Sequence, residues 1–450
     1  MEEAEKQQKQ FERMTTEPVG KLLFSLSIPT IISMMVTNIY NIVDTAFVGT
    51  LGTSESGATG VVFGYMAILQ AVAFMCGQGA GSIMSRKLGE KDIKEASKYS
   101  STGFFLSFFL GGFLALLSAI YLTPLVKLLG STETIAPFAK KYILCIIASA
   151  PFFTSSYTLN NLLRYEGKAK LGTIGMMTGA VLNIGGDALL MFVFKLGILG
   201  AGLATAVSQF VSFCILIGMF LSGKTQTKIK FSNIAHNFRP FWNIIATGFP
   251  SLLRQGLNSL ATMFLNRCAG IYGDPAVAAM SIVSRISFFP MAVAIGIGQG
   301  FQPISSFNFG AGKKKRVRSA FWKALIGSEF ALLIMSVPVF IFSPGLVQML
   351  RNDVQVIELG TRALRLMCLA QLFVPLTMMV EMGYQSTGAK GLATLASSLR
   401  SGVIFIPVLR FFAATRGMAG IQEAQPLSFV LTFIICIFLC KVYMNRLKEN

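Results

Sequence analysis

Apolar residues run along this chain in long blocks separated by short polar breaks. The blocks lie at about 21–47, 57–85, 99–122, 137–163, 171–194, 199–222, 241–266, 277–306, 321–342, 362–384, 392–414 and 424–443. About 20 consecutive apolar residues, wound as a helix, cross the hydrocarbon core of a bilayer. The pattern therefore predicts an all-α polytopic membrane protein with twelve transmembrane helices. The longer blocks predict tilt or extension into the interface. An even number of spans puts both termini on one side.

Composition agrees with this reading. Of 450 residues, 53% are hydrophobic and 13% charged, against roughly 25% charged in soluble domains. The net charge of +19 would suggest a nucleic-acid partner in a soluble chain, so the placement of the charges matters. Basic residues gather in the N-terminal segment (Lys6, Lys9, Arg13), after span 2 (Arg86, Lys87, Lys91), after span 6 (Lys224, Lys228, Lys230) and in the run Lys313, Lys314, Lys315, Arg316, Arg318. Counted over all loops, one side carries 25 basic residues and the other five: Lys127, Lys195, Arg267, Arg351 and Arg416. By the positive-inside rule the chain is N-in and C-in. The 313–318 run then faces anionic lipid headgroups, and no nucleic-acid partner is expected. The first 17 residues are polar and lack the apolar core of a signal peptide.

The chain also matches itself at an offset of 221 residues. Pro29 pairs with Pro250, Gly49 with Gly270, Gly77-Gln78-Gly79 with Gly298-Gln299-Gly300, Gly89 with Gly310 and Gly167 with Gly388. Six spans separate the copies, so both halves run in the same direction: a 6+6 parallel repeat about an axis along the membrane normal. The expected organisation is a cytoplasmic tail over 1–20, an N-lobe over 21–222, a cytoplasmic linker over 223–240, a C-lobe over 241–443 and a tail over 444–450. Two lobes rocking about a central cavity suit a transporter.

Ionisable groups inside a membrane are costly and are functional candidates by default. The acids within spans are Asp44, Asp187, Glu329 and Glu381. Thr37, Asn41 and Asp44 are spaced i, i+4, i+7 and share one helical face. Pro29, upstream in the same span, removes a backbone hydrogen bond and can bend it. Asn183 and Asp187 are again i, i+4, with Gly185-Gly186 between them. In the next span, Ala201 and Thr205 offer a carbonyl and a hydroxyl at the same spacing, and Asn160 and Asn161 add amides from span 4. Such oxygens suit a hard cation such as Na⁺, a possible metal site at Asp44, Asn183, Asp187 and Thr205. Alternatively, two carboxylates close together in a poor dielectric can share a proton. At offset 221, Asp44, Asn183 and Asp187 become Leu265, Ile404 and Val408. The polar set is thus one-sided, whereas a common structural role would leave a trace in both halves. The set therefore reads as a one-sided ion or proton site, with an interhelical hydrogen-bond clamp such as Asp to Asn as the alternative.

Glu381 can bridge to Arg254, Arg285 or Arg400, or line a cationic-substrate surface. Met291, one of 22 methionines, suits an adaptable cavity wall or ordinary filling of a membrane interior. A lone histidine, His236, leaves little room for a triad or a zinc cluster, so no enzyme and no cofactor are expected. Seven scattered cysteines read as packing residues. Gly218 to Thr225 spells GxxxxGK[ST], but the glycines close an apolar span where the phosphate loop needs a strand before and a helix after. An ion gradient is therefore the expected energy source.

The stretches IPTIISMMVTNIYNIVDTAFVG in span 1, GQGAGSIMSRKLG closing span 2, NIGGDALL in span 5 and GIGQGFQPISSFNFGAG closing span 8 resemble, in this order, the multidrug and toxic compound extrusion (MATE) transporters, in particular their MepA-like bacterial branch. The resemblance covers nearly the whole chain. It implies a multi-pass bacterial plasma-membrane protein, with a V-shaped cavity between lobes, a rocker-switch cycle and drug antiport against H⁺ or Na⁺. It also implies a role in antibiotic resistance. The partners it implies are small-molecule drugs and toxic organic cations, with membrane lipids around a monomer. Asp44, Asn183, Asp187, Ala201 and Thr205 match the family's N-lobe cation site, and Pro29 matches the proline at which span 1 bends. Some relatives carry an acidic C-lobe site with a Glu in span 7; LLRQGLNSL here has no acid, so that site does not carry over. The rival is a flippase for a lipid-linked saccharide, of the broader 6+6 superfamily (MOP), which would favour Arg254, Arg285 and Arg400 lining a strongly cationic cavity.

Overall fold

Helix is the only extended regular structure among residues 2–448, which the computed structural model describes. Met1, Glu449 and Asn450, at the ends of the expected tails, lie outside the described residues. Among the described residues nine helices are long and apolar enough to cross a membrane. Val354–Gln371 with Val374–Ser386, bent by 50°, makes a tenth if the pair is one span. The difference from the twelve apolar blocks has two causes. The blocks at 392–414 and 424–443 fall in one helical run, Lys390–Arg446, whose backbone breaks at Gly417 (φ 62°). The block at 241–266 forms a 33-residue helix, but Arg239, Arg254 and Arg267 lower its apolarity.

The chain divides into two compact units. One comprises residues up to Met14 with Ile32–Leu252; the other comprises Thr15–Ile31 with the chain from Leu253 onward. The helices of the N-terminal half are α1 (Glu2–Thr16), α2 (Val19–Gly49), α3 (Thr53–Gly89), α4 (Ile93–Ile120), α5 (Leu122–Leu128), α6 (Ala136–Tyr165), α7 (Ala169–Asp187) and α8 (Ile198–Leu221). The helices that follow are α9 (Phe238–Gly270), α10 (Asp274–Gly310), α11 (Lys314–Ile341), α12 (Ser343–Leu350), α13 (Val354–Gln371), α14 (Val374–Ser386), α15 (Lys390–Ser398) and α16 (Phe405–Arg446). The division cuts through α2 after Ile31 and through α9 after Leu252. Both cuts lie two residues beyond an in-helix proline, Pro29 or Pro250, and they are 221 residues apart, the register of the repeat. Each unit thus takes the opening half of the other repeat's first helix, and the 223–240 linker belongs to the first unit. The units therefore divide the chain differently from the lobes expected at 21–222 and 241–443.

The repeat's glycines have a physical cause. In the first unit, a Cβ on Gly79 of α3 would overlap the Ile244 carbonyl of α9, and one on Gly248 would overlap the Met75 carbonyl. Two helices therefore cross backbone to backbone, and Ser251 Oγ donates to Gln78 Oε1 beside the crossing (2.6 Å). In the second unit, Gly300 of α10 meets Ser27 of α2 in the same way. Ser27 is the repeat partner of Gly248. Small residues permit such approaches where lipid supplies no hydrophobic drive between helices.

The outside of the molecule is as apolar as its interior, and the interior holds many polar side chains. Phe109, Phe113, Ile120, Ile326, Phe330 and Ile334 are exposed on helix outsides, whereas Gln78, Thr154, Gln302 and Gln385 are fully buried. Outer faces of this kind suit contact with lipid.

The polar ends of the first unit are not loose. The segment Glu2–Thr16, expected as a tail, is helical: Gln10 Nε2 donates to the Glu166 carbonyl (2.9 Å) and Lys91 lies 4.5 Å over the Phe11 ring. The linker is held by hydroxyls of α4. Ser101 Oγ donates to the Lys228 carbonyl, Ser97 Oγ accepts from the Lys228 N–H, and Thr102 Oγ1 accepts from the Ala235 N–H. Glu166, fully buried at the end of α6, accepts from the N–H groups of Gln226 (3.1 Å) and Thr227 (2.9 Å) and from the Thr227 hydroxyl. A buried carboxylate with this many donors is a strong anchor. Glu166→Ala should release the linker, and limited trypsin digestion should cut at Lys224, Lys228 and Lys230 at least about tenfold faster, as expected for loss of charge-assisted bonds. Unchanged cleavage would contradict the anchoring role.

Candidate functional site

The two mid-span acids of the first unit, Asp44 on α2 and Asp187 on α7, come together with side chains of α6 and α8. Small residues let α7 and α8 approach: a Cβ on Gly186 would lie 3.0 Å from the Ala204 side chain, and one on Gly179 would strike Ser212. After Asp187 the backbone widens into one π-helical turn, Ala188–Val193, a distortion common at functional sites. A Cβ on Gly200 of α8 would lie 2.8 Å from the Leu190 backbone of that turn. These contacts bring Asn183 and Asp187 to the face of α8 that carries Ala201 and Thr205, all of them buried.

Asp44 is buried on α2. The Tyr142 hydroxyl, from α6, donates to Asp44 Oδ2 at 3.1 Å and lies 3.2 Å from Thr205 Oγ1; Asn183 Nδ2 donates to the same Thr205 oxygen at 3.1 Å. Each hydroxyl has one proton to give, which fixes the direction of the chain. The amide of Asn183 donates to Thr205, Thr205 to Tyr142, and Tyr142 to Asp44. The Asp44 and Asp187 carboxyls are close enough to interact electrostatically.

What this arrangement lacks is donors. Asp44 Oδ1, Asn183 Oδ1 and both carboxylate oxygens of Asp187 are buried and accept no hydrogen bond among the described residues. Buried acceptors of this kind are expensive, and a cation or a proton is what satisfies them. Asn41 Oδ1, one turn before Asp44, is buried and unsatisfied in the same way. Two acids with neutral amide and hydroxyl oxygens form a hard donor set that fits Na⁺. Among the described residues no group of three or more His, Cys, Asp or Glu side chains is placed to hold a metal ion.

Other residues singled out in the sequence lie elsewhere. Asn161 is buried, but its amide donates to the Tyr157 carbonyl (2.7 Å) and its oxygen accepts from Arg164. Asn160 packs against Gly172 at the start of α7, about 16 Å along the helix from Asn183 at 1.5 Å per residue. Glu381 is engaged by a cationic side chain of its own unit: Arg254 Nη1 donates to its Oε1 at 2.6 Å, and both residues are buried. That ion pair neutralises Arg254, which counts against a strongly cationic lining, while Arg285 is exposed. Met291 is half-buried on α10, and Pro29 stands inside α2.

Sequence reasoning missed the tyrosines. Besides Tyr142, Tyr40 and Tyr157 are buried side chains close enough to interact with each other, and Tyr40 also with both acids. Tyr40 carried a usable signal, since it is four residues before Asp44 on the same helical face. Tyr142 is an isolated tyrosine in an apolar block, and spacing does not single it out.

The MatE family model matches residues 29–189 and 250–409. The two matches start at Pro29 and Pro250, in the register of the internal repeat. The multidrug export protein MepA of Staphylococcus saprophyticus is 28% identical over 433 residues, covering 96% of this chain and 95% of the relative. MepA of Staphylococcus aureus strain MSSA476 is 27% identical over 434 residues, covering 96% of each. A solved outward-facing structure of a multidrug resistance MATE family transporter of the MOP superfamily matches with a TM-score of 0.92 at 22% identity, over 97% of this chain and 98% of that one. That likeness is one of fold.

Proposed function

The chain belongs to the MatE family of membrane transporters, and from that premise we propose that it is a multidrug efflux antiporter exporting amphipathic, mainly cationic compounds. The exchanged ion is H⁺ or Na⁺. The observation that carries this reading is the donor-poor cluster at Asp44, Asn183 and Asp187, with four buried oxygens that accept no hydrogen bond among the described residues. Multidrug export is also what the MepA relatives are named for.

In this reading Asp44 and Asp187 hold the coupling ion with Asn183, Thr205 and the Ala201 carbonyl, and Asn41 stands beside them. With both acids charged, the hydrogen-bond chain from Asn183 through Thr205 and Tyr142 ends on Asp44 as acceptor. Protonating Asp44 makes it a donor, and the chain through Tyr142 can reverse. Na⁺ would instead take the free oxygens directly. Either event removes charge from the low-dielectric interior, and a cationic drug attracted to the same carboxylates competes with it. Pro29 supplies the hinge: α2 lacks a backbone bond there, and the boundary between the two compact units falls just beyond it, after Ile31. Rocker-switch alternating access follows, with the lobes over 21–222 and 241–443 joined by the 223–240 linker. Twelve spans, with the tails 1–20 and 444–450 in the cytoplasm, fit the charge bias of the loops.

The test is transport of ethidium in proteoliposomes holding the purified protein, under an imposed H⁺ or Na⁺ gradient. A tenfold ion gradient supplies about 1.4 kcal/mol, enough for about tenfold uphill export in one-for-one exchange. Accumulation that collapses when one of the two gradients is dissipated is the expected result; accumulation indifferent to both overturns the proposal.

A further inference from the structure

The second unit contains a buried charge cluster of its own, and its charges do not balance. Arg254 on α9 and Glu381 on α14 form the 2.6 Å ion pair already described, at 9% and 4% exposure. Arg400 stands on the π-helical turn Leu399–Val403 that follows α15. It is close enough to interact electrostatically with both members of the pair. A Cβ on Gly402 of the same turn would lie 2.8 Å from the Leu257 side chain. Leu257 is one helical turn beyond Arg254, so the face of α9 that carries Arg254 packs against the turn that carries Arg400.

Two guanidiniums and one carboxylate leave a surplus of one positive charge. Arg400 Nη1 is buried and has no hydrogen-bond partner among the described residues. The residue as a whole is only half-buried, so it stands at the edge of the cluster although Nη1 itself is enclosed. A cationic donor in an apolar setting without an acceptor is costly, and guanidinium is well shaped for carboxylate and other oxyanions. The geometry points to a binding subsite for one monovalent anion at Arg400, with the Arg254–Glu381 pair as its inner wall. The occupant is chloride or the carboxylate of an amphiphilic organic acid. The single surplus charge disfavours a pyrophosphate or another polyanion, which Glu381 would repel. This subsite shares no residue with the acids on α2 and α7, and it does not depend on which ion drives transport.

The test uses the purified full-length protein in detergent and chloride-free sulfate buffer. Binding of radiolabelled chloride and of radiolabelled salicylate is measured separately, and each is then used to displace the other. Saturable binding of either, at one site per chain, supports the subsite, and the better ligand identifies the source. Arg400→Gln should weaken that binding at least about tenfold, as for loss of a charged hydrogen bond. Arg400→Lys should retain it within a few-fold. Glu381→Gln raises the surplus to two and should tighten it. This gain of binding keeps the proposal falsifiable if Arg400→Gln fails to fold. Absence of saturable binding by both anions, wild-type affinity in a folded Arg400→Gln protein, or no tightening in Glu381→Gln would each overturn it.

Discussion

Asp44→Asn is expected to lose gradient-driven export by at least about tenfold, the size of a coupling free energy of about 1–3 kcal/mol, while the protein still folds. The amide oxygen can go on accepting from Tyr142, which donates to Asp44 Oδ2 at 3.1 Å, so the hydrogen-bond chain keeps its end. What disappears is a negative charge that can be neutralised. The amide nitrogen also brings a donor into a cluster whose buried oxygens have none, and Asp187 is its natural acceptor. The site would then be fixed in one state whatever the gradient. Export measured in proteoliposomes with and without the driving gradient should therefore become the same. Gradient-driven export that persists at wild-type rate would remove Asp44 from the mechanism.

Gly248→Leu should have the largest effect on folding. A Cβ at this position would overlap the Met75 carbonyl, a backbone atom of α3 that cannot rotate away. The two helices must separate or bend, and the Ser251–Gln78 bond beside the crossing would be lost with them. Overpacking of tight interiors typically costs about 1–3 kcal/mol. Here the obstacle is main chain, so a loss of at least about 3 kcal/mol is expected. Thermal unfolding in detergent, or failure to recover monodisperse protein, would register it. Gly60→Ala is the control, because nothing lies within 4 Å of its added Cβ, and it should behave as wild type. Equal stability of the two variants would show that the crossing of α3 and α9 is looser than described.

Much of this architecture was legible from the chain alone, because the bilayer imposes so strict a pattern. Long apolar blocks must be helices where no water can satisfy the backbone. Mid-span acids are conspicuous against that background, which is how Asp44 and Asp187 stood out. Spacing at i, i+4 then tied Asn183 to Asp187, and the structure brings Thr205 to within 3.1 Å of Asn183. Spacing could not say what Asn161 does, since it turns to its own neighbour Arg164. Nor could it choose among Arg254, Arg285 and Arg400 as partner for Glu381, which depends on which helices touch. The exchange of half-helices at Pro29 and Pro250 was hidden for the same reason: hydropathy records where a span lies and not what it packs against. The linker read as a basic loop because its own residues are polar. The hydroxyls that fix it, Ser97, Ser101 and Thr102, lie more than a hundred residues earlier on α4.

The most direct measurement is the movement of the coupling ion itself. In proteoliposomes without an imposed gradient, drug loaded on one side should drive counterflow of H⁺ or Na⁺, followed by a pH-sensitive dye or by ²²Na⁺. Ion counterflow should track drug flux in the wild-type protein and be absent in Asp44→Asn and Asp187→Asn. Drug flux with no ion counterflow in the wild type, or counterflow undiminished in both variants, would contradict it.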